Sequence, residues 1–194
     1  MKKMLILVLT LALTLGVCSQ ALAADKYTIA LIAPFTGDNA QYGEAYKTGL
    51  QVLCDEVNAD GGINGAELTF ETFDDASDAA QSTNMAQIVT SDEKYIAAIG
   101  SYTSTCALAF GSIFDEAKMP VMVPNAGNSM IATDYTYTFQ RGMTIPIESA
   151  LMARYAVQKL DCKRVAFLAL NNDAGLQFME NAVKAIDNLK AAGV

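Results

Sequence analysis

Four hydroxyl side chains, Ser101, Thr103, Ser104 and Thr105, stand with the phenol of Tyr102 between Gly100 and a run that reads as a helix over 106–117. The first amides of a helix lack intrahelical partners and carry the positive end of its dipole. Such a terminus favours a carboxylate or phosphate, by roughly 0.3–2 kcal/mol. The same hydroxyls also suit a plain helix cap, from Ser104 or Thr105. Spacing alone leaves both readings open. Two more polar loops, 35–43 (FTGDNAQYG) and 124–129 (PNAGNS), follow other strand-like runs. Tyr42 closes the first of them, either as a solvent-facing aromatic or as the wall of a cleft. Catalytic readings fare worse. Ser-His-Asp and Cys-His arrangements need an imidazole, and the sequence has no histidine. Neither a GxxxxGK[ST] loop nor a GxGxxG fingerprint is present. Asp74 and Asp75 could serve as general acid and base, but adjacent strand residues point to opposite faces, which favours a turn-forming role. The sequence implies no enzyme, no metal site and no cofactor.

The elements that would carry these loops alternate strand and helix. Residues 27–33 (YTIALIA) form a nearly continuous apolar run, the mark of a strand buried on both faces. An amphipathic helix follows, with Ala45, Gly49, Leu53 and Val57 on one i, i+4 row and Leu50 beside it. Gly61 and Gly62 end it by supplying the left-handed backbone. The stretch 67–73 is the second strand, completing a βαβ unit whose first loop lies where open α/β sheets place ligands. Asp78 with Gln81 fits a capping box for the next helix, to about residue 91. Strands are expected at 95–99, 120–124 and around 137–141. Pro146 interrupts the pattern, so 142–147 reads as a crossover. A helix over about 148–160, a strong strand at 164–170 (RVAFLAL) and a helix to about 192 complete the chain. One strand cannot make a sheet: 164–170 either joins the first sheet or begins a second lobe, and the second reading is preferred. The fold class is α/β, with a doubly wound parallel sheet and an incomplete second α/β lobe.

Lys2 and Lys3 precede an apolar run over 4–17, and Ala21-Leu22-Ala23 is a small-x-small cleavage site. Residues 1–23 therefore read as an export leader. Cys18 offers a lipid-anchoring alternative, disfavoured by Val17 before it. The leader holds two lysines and no acids, so its removal takes the formal charge from −8 to −10. That is an acidic, solvated surface without the basic footprint of a nucleic-acid binder. Cys54, Cys106 and Cys162 remain, an odd number with no metal spacing, and burial as small apolar groups is the expectation.

Taken together, 33–43 (APFTGDNAQYG), 58–65 (NADGGING), Asp74-Asp75 and 99–104 (IGSYTS), followed by Pro124, resemble the branched-chain amino-acid-binding proteins. These are type I periplasmic solute-binding components of ABC importers, and the similarity runs through the mature chain. The resemblance implies two doubly wound lobes that close by a hinge over a small ligand: 24–141 as the first lobe, 142–147 as the hinge and 148–194 as the start of the second. It implies that Ser104 binds a ligand carboxylate, with Tyr102 and Thr103 as loop neighbours. The main-chain carbonyl of Asn125 would take the ligand ammonium, and Tyr42 would be the cleft tyrosine. Gly127 stands where the family usually has a threonine that grips an α-amino acid. Ala174 replaces a frequent cleft aromatic, Pro146 a frequent acid, and Ser77 and Thr103 a cysteine pair found in some members. An amide or another small carboxylate thus stands beside leucine, isoleucine and valine as a ligand class. The resemblance further implies a periplasmic monomer serving a membrane permease, or alternatively a sensing module that signals instead of transporting. It also implies that the chain is a fragment, since family members continue through the second lobe.

Overall fold

The computed structural model describes residues 26–193; the leader, Cys18 and the cleavage site lie outside them. Strand β1 (Tyr27–Ala33) sits inside a five-stranded, all-parallel sheet of order β2-β1-β3-β4-β5. Its neighbours are β2 (Leu68–Asp74), in register from Tyr27↔Leu68 to Ala33↔Asp74, and β3 (Tyr95–Gly100). Beyond β3 lie the short strands β4 (Val121–Val123) and β5 (Thr138–Gln140). With both edges paired and both faces covered, Ala30, Leu31, Ile32 and Ala33 are 0% exposed. Each such buried Leu or Ile side chain contributes about 1.5–3 kcal/mol.

Alternation along β1 divides the core in two. Ala30 and Ile32 face helices α2 (Ala79–Thr90) and α3 (Ser104–Ala117), within a cluster holding Val89, Phe110, Phe114, Val121 and Val123. Leu31 and Ala33 face α1 (Ala40–Ala59), against Leu50, Cys54 and Leu68. The inward face of α1 differs from the expected row. Gly43, Leu50 and Cys54 are buried, Tyr46 and Val57 pack beside them, and Ala45, Gly49 and Leu53 are exposed. The cause is a close approach at Gly43, where a Cβ would stand 2.0 Å from the Pro34 carbonyl oxygen. That contact fixes the rotation of α1 about its axis. Helix α2 starts as expected, the Gln81 amide donating to Asp78 Oδ1 at 2.9 Å. Gly61 and Gly62 adopt φ of +98° and +74° after α1.

Two expectations fail in the remainder. Helix α4 (Ile145–Gln158) begins inside the stretch read as a crossover, because Pro146 lies in its first turn, where a missing N–H costs nothing. Residues 164–170 form no strand: Leu168 is 102% exposed, and Val165 and Leu170 are exposed too. They do not join the sheet, which ends at β5, and among the described residues no other strand lies beside them. An extended run without a neighbour has nothing to complete its backbone hydrogen bonds. Helix α5 (Asp173–Ala191) then packs on α4, burying Ala182 and Ala153.

Candidate functional site

Strand order reverses between β1 and β3: the chain leaves β1 for β2 on one side, then crosses to β3 on the other. The loops after β1 and β3 therefore diverge and leave a crevice at the carboxyl end of the sheet. Tyr42, in the first turn of α1, and Tyr102, in the β3–α3 loop, meet across it. Their rings stack at 3.9 Å between centroids and 11° between planes. Tyr42 stays exposed, at 37%, on the outer side of this stack. Burial pushes the Tyr102 phenol up to about 12, with the adjacent Tyr42 phenol adding to it. One turn along α1, Tyr46 is also raised to about 12, chiefly by burial and then by Tyr102, and its hydroxyl has no hydrogen-bond partner among the described residues.

The hydroxyl loop divides its labour. Thr103, in extended backbone, is the cap of α3 and accepts from the Cys106 amide at 3.3 Å; Ser104 and Thr105, the expected capping residues, lie inside the helix. Ser104 is 4% exposed, and its Oγ accepts from the Asn128 amide at 3.3 Å, joining this loop to the one after β4. Among the described residues the Ser104 O–H proton and the Ser104 and Thr105 amides have no acceptor. Thr105 Oγ1 donates to Asp173 Oδ2 at 2.7 Å. Cys106 is fully buried behind them, its thiol pushed up first by burial.

Asn125 is exposed at the end of β4 and takes no part in the hydrogen bonds that join these loops. The Gly127 carbonyl accepts from the Ile145 amide at 2.8 Å, which ties the loop to α4. A Cβ at 127 would stand 3.0 Å from Ile145 Cγ1, so a threonine here would require Ile145 to shift. Of the expected residues, the fold pairs Tyr42 with Tyr102 and sets Thr103 and Ser104 beside the Gly127 loop. It leaves Asn125 at the margin.

Sequence reasoning missed the groups that tie the loops together. Gln177 of α5 accepts from the Ser129 amide at 3.0 Å and donates to Asn128 Oδ1 and Ser129 Oγ, at 3.1 and 3.0 Å. Only the fold brings residues 48 or 49 apart into such contact. Asp74 holds the first loop: its carboxylate accepts from the Phe35, Thr36 and Ala76 amides and from Thr36 Oγ1. Burial pushes this carboxyl up, but the Thr36 hydroxyl and the three amides outweigh it and hold it below the usual range. The stabilisation this represents is present above the ordinary carboxylate range and is lost as pH falls through the lowered value.

A groove of about 780 Å³ lies elsewhere, between α4, α5 and residues 161–165, lined by Val157, Cys162, Val165, Ile186 and Leu189 among others. No strand-end loop reaches it, and it reads as unfilled helix packing rather than a solute site. Among the described residues no group of three His, Cys, Asp or Glu side chains is placed to hold a metal ion.

A parallel sheet whose strand order reverses between β1 and β3, with strand-end loops gathered over that point, is an open α/β class, whose ligands lie at such a reversal. The chain belongs to the periplasmic binding protein family, which its residues 26–194 match. It is 32% identical over 197 residues to the Leu/Ile/Val-binding protein BraC3 of Rhizobium johnstonii, a match covering 96% of this chain and 50% of that protein. Its fold is similar to that of the branched-chain amino acid transporter substrate-binding protein LivJ of Streptococcus pneumoniae, in complex with isoleucine. There the TM-score is 0.78 at 24% identity, over 82% of this chain and 46% of that one. A solute-binding protein of an ABC transporter from Rhodopseudomonas palustris, in complex with p-hydroxybenzoic acid, gives 0.77 at 25% identity, over 86% and 45%. The chain spans about half the length of the relatives it matches.

Proposed function

We propose that this chain carries the first-lobe half of an extracytoplasmic solute site serving an ABC importer, for a small amino acid of the branched-chain type or a close analogue. The observation that carries it is the gathering of three loops over the β1/β3 reversal, with the Ser104 O–H proton and two α3 amides left without a hydrogen-bond partner among the described residues. In this reading those groups take the solute carboxylate, the Tyr42–Tyr102 stack walls the crevice, and Asn125 offers its carbonyl to an ammonium. Residues 142–147, the last three already within α4, serve as the crossover to a second lobe opened by 148–194. The partners are a small solute and a membrane permease, the protein is an exported monomer, and it performs no chemistry on what it binds.

A second reading has support of its own. Gly127, tight against Ile145, leaves no side chain to grip an α-amino group, and the R. palustris relative holds an aromatic carboxylate. A small carboxylate without an ammonium, sensed or transported, then fits the same anion site.

Titration calorimetry with L-leucine, L-isoleucine, L-valine and p-hydroxybenzoate separates the two. Binding by the amino acids supports the first reading, and binding by p-hydroxybenzoate alone supports the second. No heat for any of them up to about millimolar, roughly −4 kcal/mol, counts against both. Ser104→Ala weakens whichever carboxylate binds by roughly 1–3 kcal/mol, the cost of an unpaired charged group. Unchanged affinity in that variant removes Ser104 from the site.

A further inference from the structure

At the carboxyl end of β2 two consecutive carboxylates part company. Asp74 serves the β1–α1 loop, while Asp75 turns the other way and is 0% exposed. Its Oδ1 accepts from the Ser77 amide at 3.0 Å. Its Oδ2 accepts from Ser82 Oγ at 3.0 Å and from Ser101 Oγ in a short hydrogen bond. Its main chain is committed as well, donating to the Ala33 carbonyl and accepting from the Asp78 amide. A buried carboxylate without a cation is costly unless hydrogen bonds satisfy it, and here three donors do so. They come from three places: its own turn, helix α2 and the loop after β3.

The third donor matters most. Ser101 is 0% exposed and is the first residue of the loop that delivers Tyr102, Thr103 and Ser104. Its side-chain hydroxyl reaches Asp75, 26 residues away in sequence. Strand β3 pairs with β1 only as far as Gly100, so beyond that point the ladder no longer fixes the backbone. Ser101 lies at the boundary between strand and loop.

We propose that Asp75 is a positioning residue: through Ser101 it fixes the path of the loop that presents Ser104 and the free α3 amides. Its importance for solute binding rests on the reading of that loop given above; its hold on the loop does not. Together the acidic pair anchors both loops of the crevice, Asp74 the one after β1 and Asp75 the one after β3. A small solute then meets two loops fixed from a single turn.

Amide hydrogen exchange on the solute-free full chain tests this without any ligand. Ser101→Ala removes only the loop's side of the bond and leaves Asp75 with two donors. Asp75→Ala removes all three bonds. Asp75→Asn keeps one oxygen for the Ser77 amide and offers two N–H protons to serine hydroxyls, which accept as readily as they donate. Ser101→Ala should speed exchange of the hydrogen-bonded Cys106 and Ala107 amides, both held by Thr103 of this loop, by about tenfold, the equivalent of one buried hydrogen bond. Amides of α1 around Leu50 and Cys54 should keep their parental rates. Asp75→Asn should restore most of the protection that Asp75→Ala loses. Uniform acceleration through α1 and the loop in Ser101→Ala, or no change in the loop, overturns the proposal. Asp75→Asn behaving like Asp75→Ala overturns it too, because the hydrogen bonds would not be what matters. L-isoleucine titration of the parent runs separately: its failure removes the amino-acid reading and leaves the exchange result standing.

Discussion

Residues 27–33 and 164–170 carry nearly the same message in sequence, a run of apolar and β-favouring side chains just ahead of a polar loop and a helix. One is β1, paired on both sides and dry from Ala30 to Ala33; the other forms no strand and leaves Leu168 fully in solvent. Composition does not separate them. What does is whether a strand lies on either side to accept the backbone, since a strand is stabilised by its cross-strand neighbours rather than by its own residues.

The comparison is broken or sharpened by a series of substitutions, each read by chemical denaturation. Leu31→Ala should cost the most, roughly 3–5 kcal/mol, because it opens a cavity where nothing can collapse; a loss near zero would mean that β1 is not the centre of the core. Gly43→Ala comes next, at about 1–3 kcal/mol, since the new methyl collides with the Pro34 carbonyl and must push α1 off β1. A neutral result there would show that the approach of α1 is loose. Thr103→Ala should cost about 1 kcal/mol by freeing the Cys106 amide at the start of α3. Ser104→Ala, measured the same way, should not reproduce that loss if the cap is where the structure puts it. Leu168→Ala should lie within about 0.5 kcal/mol of the parent. A larger cost would mean that 164–170 is buried in solution, and the contrast with β1 would disappear.

What the sequence carried well was local. The apolar run of β1, the Asp78 cap of α2, the paired glycines after α1 and the order of strands and helices through β5 are short-range patterns, and the fold reproduces them. The resemblance carried by 33–43, 58–65, Asp74-Asp75 and 99–104 with Pro124 was legible too, and the family match bears it out. What it carried poorly depends on docking. Two stripes compete on α1, and only the contact at Gly43 selects the one with Leu50 and Cys54. Pro146 looked like an interruption because its effect depends on which turn of a helix it occupies. Among three adjacent hydroxyls, the cap falls to Thr103 because that residue alone keeps an extended backbone, with φ −93° and ψ 149°. The bonds from Gln177 to Asn128 and Ser129, and from Ser101 to Asp75, join parts of the chain that no local pattern connects. The candidate site was therefore visible as a set of loops but not as the network that holds them still.

At the opposite end of the sheet, Asn58 deals with both polar groups of Leu68 at once, its Nδ2 donating to the carbonyl and its Oδ1 accepting from the amide, at 2.9 and 2.8 Å. One side chain thereby staples the last turn of α1 to the start of β2, and the hairpin between them hangs outside that staple. A short epitope spliced between Asn64 and Gly65 should accordingly leave the melting temperature of the chain unchanged, which makes this tip the natural place for a label.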